Sequence, residues 1–267
     1  MITALDFVEI KVRDLAAATL ATQSLLARAV QSSEENAIFR LDNMTLELSP
    51  SDDDTESLAG IAFEIADAGA AFRACERRAL HPQAPTAFAE MDATGLQREG
   101  RRIHLAESAT FGVATILNEY ATNQPAFARS QATNDGAVTG LDHVVIRTAH
   151  PNRAAAHYGA RLGLDMRLDR TEPKWGARLM FFRCGDLIVE VMHDLKQEPS
   201  DAPDRLWGLS WRVANADAAH VRLKTAGFDV SEVRPGRKPG TRVFTVRNNT
   251  LNVPTLFVEP VRASQAD

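Results

Sequence analysis

An internal repeat constrains this chain of 267 residues more than any other feature of its sequence. GLDHVVIRTA (140–149) matches ALDFVEIKVR (4–13), with leucine, aspartate and valine at equivalent places. Three further pairs follow in the same order: 39–48 with 182–191, 58–71 with 206–219, and 101–120 with 241–260, the last without a gap. Repeats of this length indicate duplicated structural units. We therefore predict two homologous domains, 1–120 and 139–261, joined by an exposed linker at 121–138.

Each predicted half divides again into two similar units. LDFVEIKV alternates apolar and polar residues, as a strand does, and the Ala- and Leu-rich stretch after Asp14 is typical of a helix. Asp67 and Asp217 are predicted to cap two further helices, Pro151 to open another, and Gly227 to end the last. The order strand, helix, then two or three strands occurs four times. The fold class is therefore α+β, with four tandem βαβββ modules.

Composition excludes several classes of function. The net charge of −5 and a pI near 5.8 give no electrostatic reason to bind nucleic acid or an anionic membrane surface. The two cysteines, Cys75 and Cys184, lack the spacing of a metal site or a disulfide framework. No apolar run approaches the roughly 20 residues that span a bilayer. We expect a cytoplasmic protein, a monomer or a homodimer, whose partner is a small organic molecule.

The repeated order resembles the vicinal oxygen chelate superfamily of glyoxalase I, bleomycin- and fosfomycin-resistance proteins and extradiol dioxygenases. The residues that carry the resemblance are Leu141-Asp142-His143 at the start of a strand, Tyr158 shortly before Leu162-Gly163, and Glu190 within an apolar strand. The resemblance implies that paired modules curl their sheets into cups that hold a small ligand. It fixes the fold better than the reaction, because one fold hosts many chemistries.

Metal-binding members of this superfamily take one ligand from the first strand and one from the last strand of each module. Carried over, the first-strand positions are Phe7, Ile61, His143 and Leu209, and the last-strand positions are Glu47, Ile116, Glu190 and Leu256. Only three of these can bind a cation, and only the third module keeps a pair. Catalytic zinc normally has three protein ligands. A complete metal site is therefore not predicted, and a divalent ion held weakly by His143 and Glu190 remains an alternative.

The pair His143 and Glu190 is the predicted catalytic site, because a carboxyl beside an imidazole can move protons. His193 has the wrong strand parity to join the pair. Glu47, in contrast, is expected to be a salt-bridged structural carboxylate in a first cup that has become packing. Strand parity predicts that the ligand-binding wall of the second cup contains Val145, Arg147, Ile188, Met192, Leu209, Trp211 and Leu256. Arg237 and Lys238 are expected to be surface charge on a turn.

Three functions remain open from the sequence. The first is a metal-free protein that binds a small molecule in its cup. The second is an enzyme of the lyase or isomerase type, which uses His143 and Glu190 with a weakly held metal or none. The third is a degenerate module with a non-catalytic role. An extradiol dioxygenase is disfavoured, since two of its ligands would fall at Leu209 and Leu256.

Overall fold

Two curled eight-stranded sheets form the protein, one from each half of the chain. The computed structural model describes residues 1–53, 55–91, 96–121 and 128–260. Within the first half, the strand order across the sheet is β2-β3-β4-β1-β5-β8-β7-β6. In the second half it is β10-β11-β12-β9-β13-β16-β15-β14, which is the same arrangement displaced by eight strands. The predicted α+β fold with tandem βαβββ modules is confirmed.

The elements of the two sheets follow the repeat. The first half contains β1 Ile2–Val12, α1 Leu15–Leu26, β2 Gln31–Ser32, β3 Ala37–Arg40, β4 Thr45–Pro50, β5 Ser57–Ile65, α2 Ala68–Arg77, β6 Thr86–Met91, β7 Gln97–His104 and β8 Ala114–Tyr120. The second half contains β9 Val138–Arg147, α3 Pro151–Ala155, β10 Asp165–Glu172, β11 Ala177–Cys184, β12 Leu187–Asp194, β13 Arg205–Val213, α4 Ala216–Thr225, β14 Arg234–Pro235, β15 Arg242–Val246 and β16 Thr255–Glu259. A π-helix, Ala156–Arg161, continues α3, and a short 3₁₀ helix spans Pro173–Trp175. No helix in the described ranges has the length and apolar character to cross a membrane.

Helix termini follow the predicted signals with one exception. Asp14 and Asp67 accept hydrogen bonds from backbone N–H groups in the first turns of α1 and α2. Gly227 follows the end of α4 with φ of 85°, a conformation that glycine adopts without strain. The predicted cap Asp217 is wrong. Asn215 caps α4 instead, since its side-chain oxygen accepts from the N–H groups of Asp217 and Ala218.

Strand register confirms the internal repeat in the strand pairs β1 with β4 and β9 with β12. Phe7 in β1 lies beside Thr45 in β4, and Glu47 lies two residues further along β4. His143 in β9 lies beside Ile188 in β12, and Glu190 again follows two residues later. Phe7 and His143 therefore occupy equivalent positions, as do Glu47 and Glu190.

The ungapped match of residues 101–120 with 241–260 is wrong by one residue in its first strand. Arg101 lies opposite Glu119, and Arg242 lies opposite Glu259, so these two arginines are equivalent. The sequence comparison had paired Arg102 with Arg242. The structural equivalent of Arg102 is Val243, and Arg102 turns towards the inside of the first cup, where it bonds to Asn118.

The apolar backs of the sheets pack against helices and against each other. Across this contact, the Arg222 side chain donates to the backbone oxygens of Ser24 and Leu25, at 2.5 and 2.8 Å. The predicted linker lies partly outside the described residues, at 122–127. Its remaining part is mostly exposed and runs beside the end of α1, where Ala29 N–H donates to the oxygen of Gln131.

Candidate functional site

His143 lies on the concave face of the second sheet, and side chains from three strands surround its ring. Its Nε2 atom is 2.7 Å from Ser210 Oγ on β13 and 3.5 Å from Glu190 Oε2 on β12. On the other side of the ring, Nδ1 is 3.0 Å from Asp142 Oδ2. The His143 side chain is 18% exposed and that of Glu190 is 13% exposed. The predicted pair is therefore together, half-buried, and fixed in orientation.

A β-bulge explains why Asp142 reaches its neighbour. Ser210 pairs with His143, but the next residue of β13, Trp211, pairs with Leu141. Asp142 is thus an additional residue without a partner in the ladder, and a bulge of this kind redirects side chains. The first half has the same register shift at Asp6, between Leu5 and Phe7. Both cups therefore contain an aspartate that the strand period alone would not direct inwards.

The two carboxyl groups beside His143 differ in acidity. Burial would raise the pKa of Asp142, but the hydrogen bond and charge of His143, with the charges of Arg212 and Lys238, bring it below its ordinary value. Burial raises the pKa of Glu190, and the positive charges of His143 and Arg237 oppose that rise only in part. Asp142 is accordingly a fixed anion that orients the ring, whereas the raised pKa of Glu190 makes its carboxylate the better proton acceptor of the two.

The loop that carries Arg237 and Lys238 lies at the rim of this cup. The guanidinium carbon of Arg237 is 4.1 Å from the centre of the Trp175 ring, which projects from the opposite edge of the sheet. The charges of both basic residues act on the acidic groups around His143. The prediction that they are only surface charge on a turn therefore needs correction, because they add positive potential at the entrance.

Most of the predicted wall lies on the same face as His143. Ile188 pairs with His143, Glu190 with Val145, and Met192 with Arg147, so these side chains share one side of the sheet. Leu256 pairs with Ser210 and extends the same face.

The placement of Leu209 and Trp211 in this wall is wrong. They are 2% and 1% exposed and lie on the back of β13, where they border a small space with Ile10, Leu25 and Leu46 of the first half. Alternation along β13 requires this, because Ser210 between them points into the cup. The ligand position carried over from the resemblance was one residue too early, and so missed Ser210. The antiparallel pairing of β9 with β13 is the signal that would have identified it.

The resemblance implies a divalent metal ion in the cup, but the side chains around His143 do not fit one. Ser210 occupies the position across from His143 where a further ligand would stand, and Leu256 lies beside it. His193 is on the back of β12, where its Nδ1 is 3.1 Å from the backbone oxygen of Thr148. In the described part of the chain, no group of three or more His, Cys, Asp or Glu side chains is arranged to hold a metal. The donor set of two residues falls short of the three that catalytic zinc normally has.

The first cup contains a cavity of about 480 Å³. The expectation that this cup has become packing is therefore wrong. Gln31 in edge strand β2 donates to the oxygen of Met91 in the opposite edge strand β6, at 3.0 Å, so a side chain links the two edges of the curled sheet. Described residues that line the cavity include Asp6, Phe7, Asn36, Ile38, Arg40, Met44, Glu47, Glu64, Glu90, Arg98, Arg102 and Tyr120.

Hydrogen bonds hold one end of this cavity together. Asp6 Oδ2 accepts from Asn118 Nδ2 at 2.7 Å and from the Tyr120 hydroxyl at 3.0 Å. Burial raises the pKa of Asp6 despite these two bonds. Burial also raises the pKa of Tyr120, whose ring lies 3.8 Å from the guanidinium carbon of Arg98. These groups form a fixed polar wall.

Glu47 lies on the β4 side of the cavity with a neutral partner. Its Oε1 accepts from Asn36 Nδ2 at 3.2 Å, and none of the described cationic side chains forms a salt bridge with it. Burial raises its pKa, and the nearby carboxylate of Glu9 raises it further. The expected structural salt bridge is thus absent among the described residues.

Comparisons with known proteins agree with this architecture. A halotolerant catechol dioxygenase superposes with a TM-score of 0.71 at 12% identity, covering 97% of this chain and 87% of that one. The Mn(II)-bound glyoxalase from Novosphingobium aromaticivorans gives a TM-score of 0.71 at 14% identity, covering 97% and 82%. The 2,2',3-trihydroxybiphenyl 1,2-dioxygenase from Sphingomonas wittichii gives 0.66 at 16% identity, covering 97% and 91%. At these identities the likeness shows the fold alone.

Sequence comparison matches the second half of the chain to a known family. Residues 142–245, which include the second cup, match the Glyoxalase/Bleomycin resistance protein/Dioxygenase superfamily. No curated protein matches the chain significantly in sequence. The first half repeats the fold of the matched segment strand for strand. The matched segment therefore identifies the second half of the chain as a domain of this superfamily, and the first half shares its fold.

Proposed function

We propose that the protein binds a small organic molecule in its second cup and moves a proton on it with Glu190, assisted by His143. The observation that carries this proposal is the contact of 3.5 Å between Glu190 Oε2 and His143 Nε2 on the concave face of the sheet. Burial raises the pKa of the Glu190 carboxyl, which makes its carboxylate a stronger base than an exposed one. This is acid–base chemistry of the lyase or isomerase type, and it needs no metal ligand from the protein.

The surroundings of the pair suit an organic substrate. Ile188, Met192 and Leu256 give the cup an apolar wall, and apolar lining with a few polar groups is usual for small-molecule sites. Arg237 at the rim favours a substrate that carries a negative charge. A small carbonyl compound with a carboxylate group satisfies both features, because its C–H bonds next to the carbonyl are acidic enough for a carboxylate base.

Proton exchange with solvent tests this function directly. The protein is incubated in D₂O with a panel of small 2-oxo and 3-oxo acids, and loss of the C–H signals is followed by NMR. We expect catalysed exchange for at least one compound, and a decrease of roughly 10²–10⁴ in its rate for Glu190→Gln. Glu119→Gln, which removes a carboxylate on the outer face of β8, serves as the control. Exchange at the same rate in Glu190→Gln would exclude the proposed role.

One contact favours the second candidate, binding without chemistry. Both ring nitrogens of His143 have hydrogen-bonding partners, Asp142 on Nδ1 and Ser210 on Nε2. A ring that is bonded on both sides can support a binding surface without exchanging protons. Saturable binding in the second cup without any C–H exchange would select this candidate.

A further inference from the structure

We propose that the cavity of the first cup is a separate binding site for a small organic cation, with Glu47 as its counter-ion. This site is independent of the chemistry proposed for the second cup. The first cup has Phe7 and Ala62 at the positions that His143 and Ser210 occupy in the second. It therefore lacks the imidazole and the hydroxyl while keeping the equivalent glutamate.

The size of the cavity is the first argument. At about 480 Å³ it lies within the range of small-molecule pockets, roughly 300–1,000 Å³. A cup that served only as packing would be filled, since protein interiors contain few voids larger than a water molecule. The lining mixes apolar side chains such as Phe7, Ile38 and Met44 with ionisable ones.

The charge on Glu47 is the second argument. Glu9 and Glu47 are direct neighbours across the parallel strands β1 and β4, an arrangement of like charges that destabilises a sheet. Glu9 is compensated, because Lys11 Nζ lies 3.1 Å from it and the Ser49 hydroxyl donates to it at 2.5 Å. Glu47 has only the neutral amide of Asn36. A buried carboxylate normally has a cationic partner, and here a ligand can supply it.

The third argument is that arginines lining the cavity already bond to other side chains of the protein, which disfavours an anionic ligand. Arg102 bonds to Asn118 at 2.9 Å and to Glu90 at 3.3 Å. Arg40 donates to Gln31 at 2.8 Å. These guanidinium groups are already used by the protein, whereas Glu47 is not.

Phe7 supplies the fourth argument. Its ring lies on the strand next to Glu47, borders the cavity and is 8% exposed. The guanidinium carbon of Arg102 already lies 5.8 Å from the centre of this ring, so the ring is placed to face a cation inside the cup. An ammonium group beside Glu47 can contact the same ring, and cation–π contact favours a cation over a neutral molecule. An alkyl- or arylammonium ion matches the carboxylate, the ring and the apolar patch together.

Binding of matched probes tests the proposal. Benzylamine, tryptamine and cyclohexylmethylamine are compared with benzyl alcohol and phenylacetate, and the methyl signal of Met44 is followed by NMR at pH 7.5. We expect at least one amine to bind at millimolar concentration or below, ahead of the alcohol and the carboxylate. Glu47→Gln should weaken that binding roughly 10-fold to 100-fold, the value of a hydrogen bond to a charged group. Glu47→Asp, which keeps the charge, should retain part of it.

The pH dependence gives an independent readout. Glu47 faces Glu9, Lys11, Glu90, Arg102 and Asn36, and burial with the charge of Glu9 raises its pKa. Amine affinity should therefore fall as the pH is lowered towards the ordinary carboxyl range, and Glu47→Gln should lose this dependence. Three outcomes would overturn the proposal: no amine of the panel binds, phenylacetate binds more tightly than the amines, or Glu47→Gln leaves the affinity unchanged. Loss of amine binding in Glu190→Gln, with Met44 unaffected, would place the ligand in the other cup and also overturn it.

Discussion

Ser210 Oγ lies 2.7 Å from His143 Nε2, across the central strand pair of the second sheet. The equivalent pair in the first sheet is Ala62 and Phe7, which cannot form a hydrogen bond. Both positions differ between the halves, so that a hydroxyl faces an imidazole in one half and a methyl group faces a phenyl ring in the other. This relationship separates a polar, oriented site from an open cavity within a single duplicated fold.

Replacing Ser210 by alanine should loosen the imidazole without unfolding the protein. The lost hydrogen bond should lower the free energy of unfolding by about 0.5–1.5 kcal/mol. Without the hydroxyl, Nε2 of His143 is left facing Glu190, so the ¹⁵N shifts of the ring should change. Denaturant unfolding and ring-nitrogen NMR measure the two effects. Identical ring shifts in the wild type and Ser210→Ala would contradict the assigned bond.

The reverse change in the first half, Ala62→Ser, gives the matched control. A hydroxyl there would face Phe7, so it should be destabilising by roughly 1–3 kcal/mol, the cost of a buried polar group left unsatisfied. A stabilising effect would show that the cavity supplies an unexpected partner.

Phe7→Ala should cost less than truncation of a phenylalanine that is fully enclosed. Phe63, on the neighbouring strand, is 0% exposed and lies in the main core, whereas Phe7 borders the cavity. Phe63→Ala should therefore lower the free energy of unfolding by about 3–5 kcal/mol. Phe7→Ala should lower it by an amount at or below the lower end of that range. Urea denaturation of the two variants compares them. A larger loss for Phe7→Ala would mean that the cavity is filled in solution.

The sequence predicted the fold because the repeat is a global signal. Strand pairing in two equivalent halves follows from the duplicated order, and the equivalence of Phe7 with His143 was readable by comparing two stretches. The inward neighbours were harder to predict. Leu209 was predicted to face the cup because the ligand position was carried over from the resemblance, whereas the pairing of Ser210 with His143 shows that Ser210 faces it.

The cavity of the first half was missed for a related reason. The sequence comparison considered only positions that could bind a metal, and Phe7 and Ile116 suggested filled space. The side chains that make this cup polar come from almost every strand of the first sheet, among them Asp6 on β1, Glu90 on β6 and Tyr120 on β8, which are distant in sequence. Arg102 was equated with Arg242, an arginine paired with Asp217 on the outer surface, because the alignment had no gap. Only the curvature of the sheet brings these groups together.

Trp211 should contribute to the contact between the halves and not to ligand binding. It is 1% exposed and packs on the back of β13, near Ile10 and Leu46 of the first half. Trp211→Ala should lower the free energy of unfolding by about 3–5 kcal/mol, and Trp211→Phe by much less. In Trp211→Phe the ring signals of His143 should stay in place. A large change in those signals would show that Trp211 faces the cup.

His157 should make the stability of the protein depend on pH. It lies in the π-helix, is 1% exposed, and packs edge-on against Phe111 and Tyr158, with ring centres 5.2 and 4.7 Å apart. Neither ring nitrogen has a hydrogen-bond partner among the described residues. Burial, with the charges of Arg161 and Arg153, lowers the pKa of His157 to about 3. The unfolded chain, with a histidine pKa of about 6.5, therefore binds a proton that the folded protein rejects. The neutral His157 ring makes its full contribution to the free energy of unfolding above pH 6.5. This contribution decreases as the pH falls towards 3.

The size of this effect can be measured against a variant that cannot titrate. At pH 5, which is 1.5 pH units below the unfolded pKa, the proton should cost roughly 2 kcal/mol of unfolding free energy. His157→Phe keeps the aromatic packing and removes the titration, so the stability of the wild type relative to the variant should fall by that amount between pH 7.5 and pH 5. Urea denaturation of both proteins at the two pH values gives the difference. A difference that does not change with pH would show that His157 has a proton partner in solution and titrates alike in the folded and unfolded states.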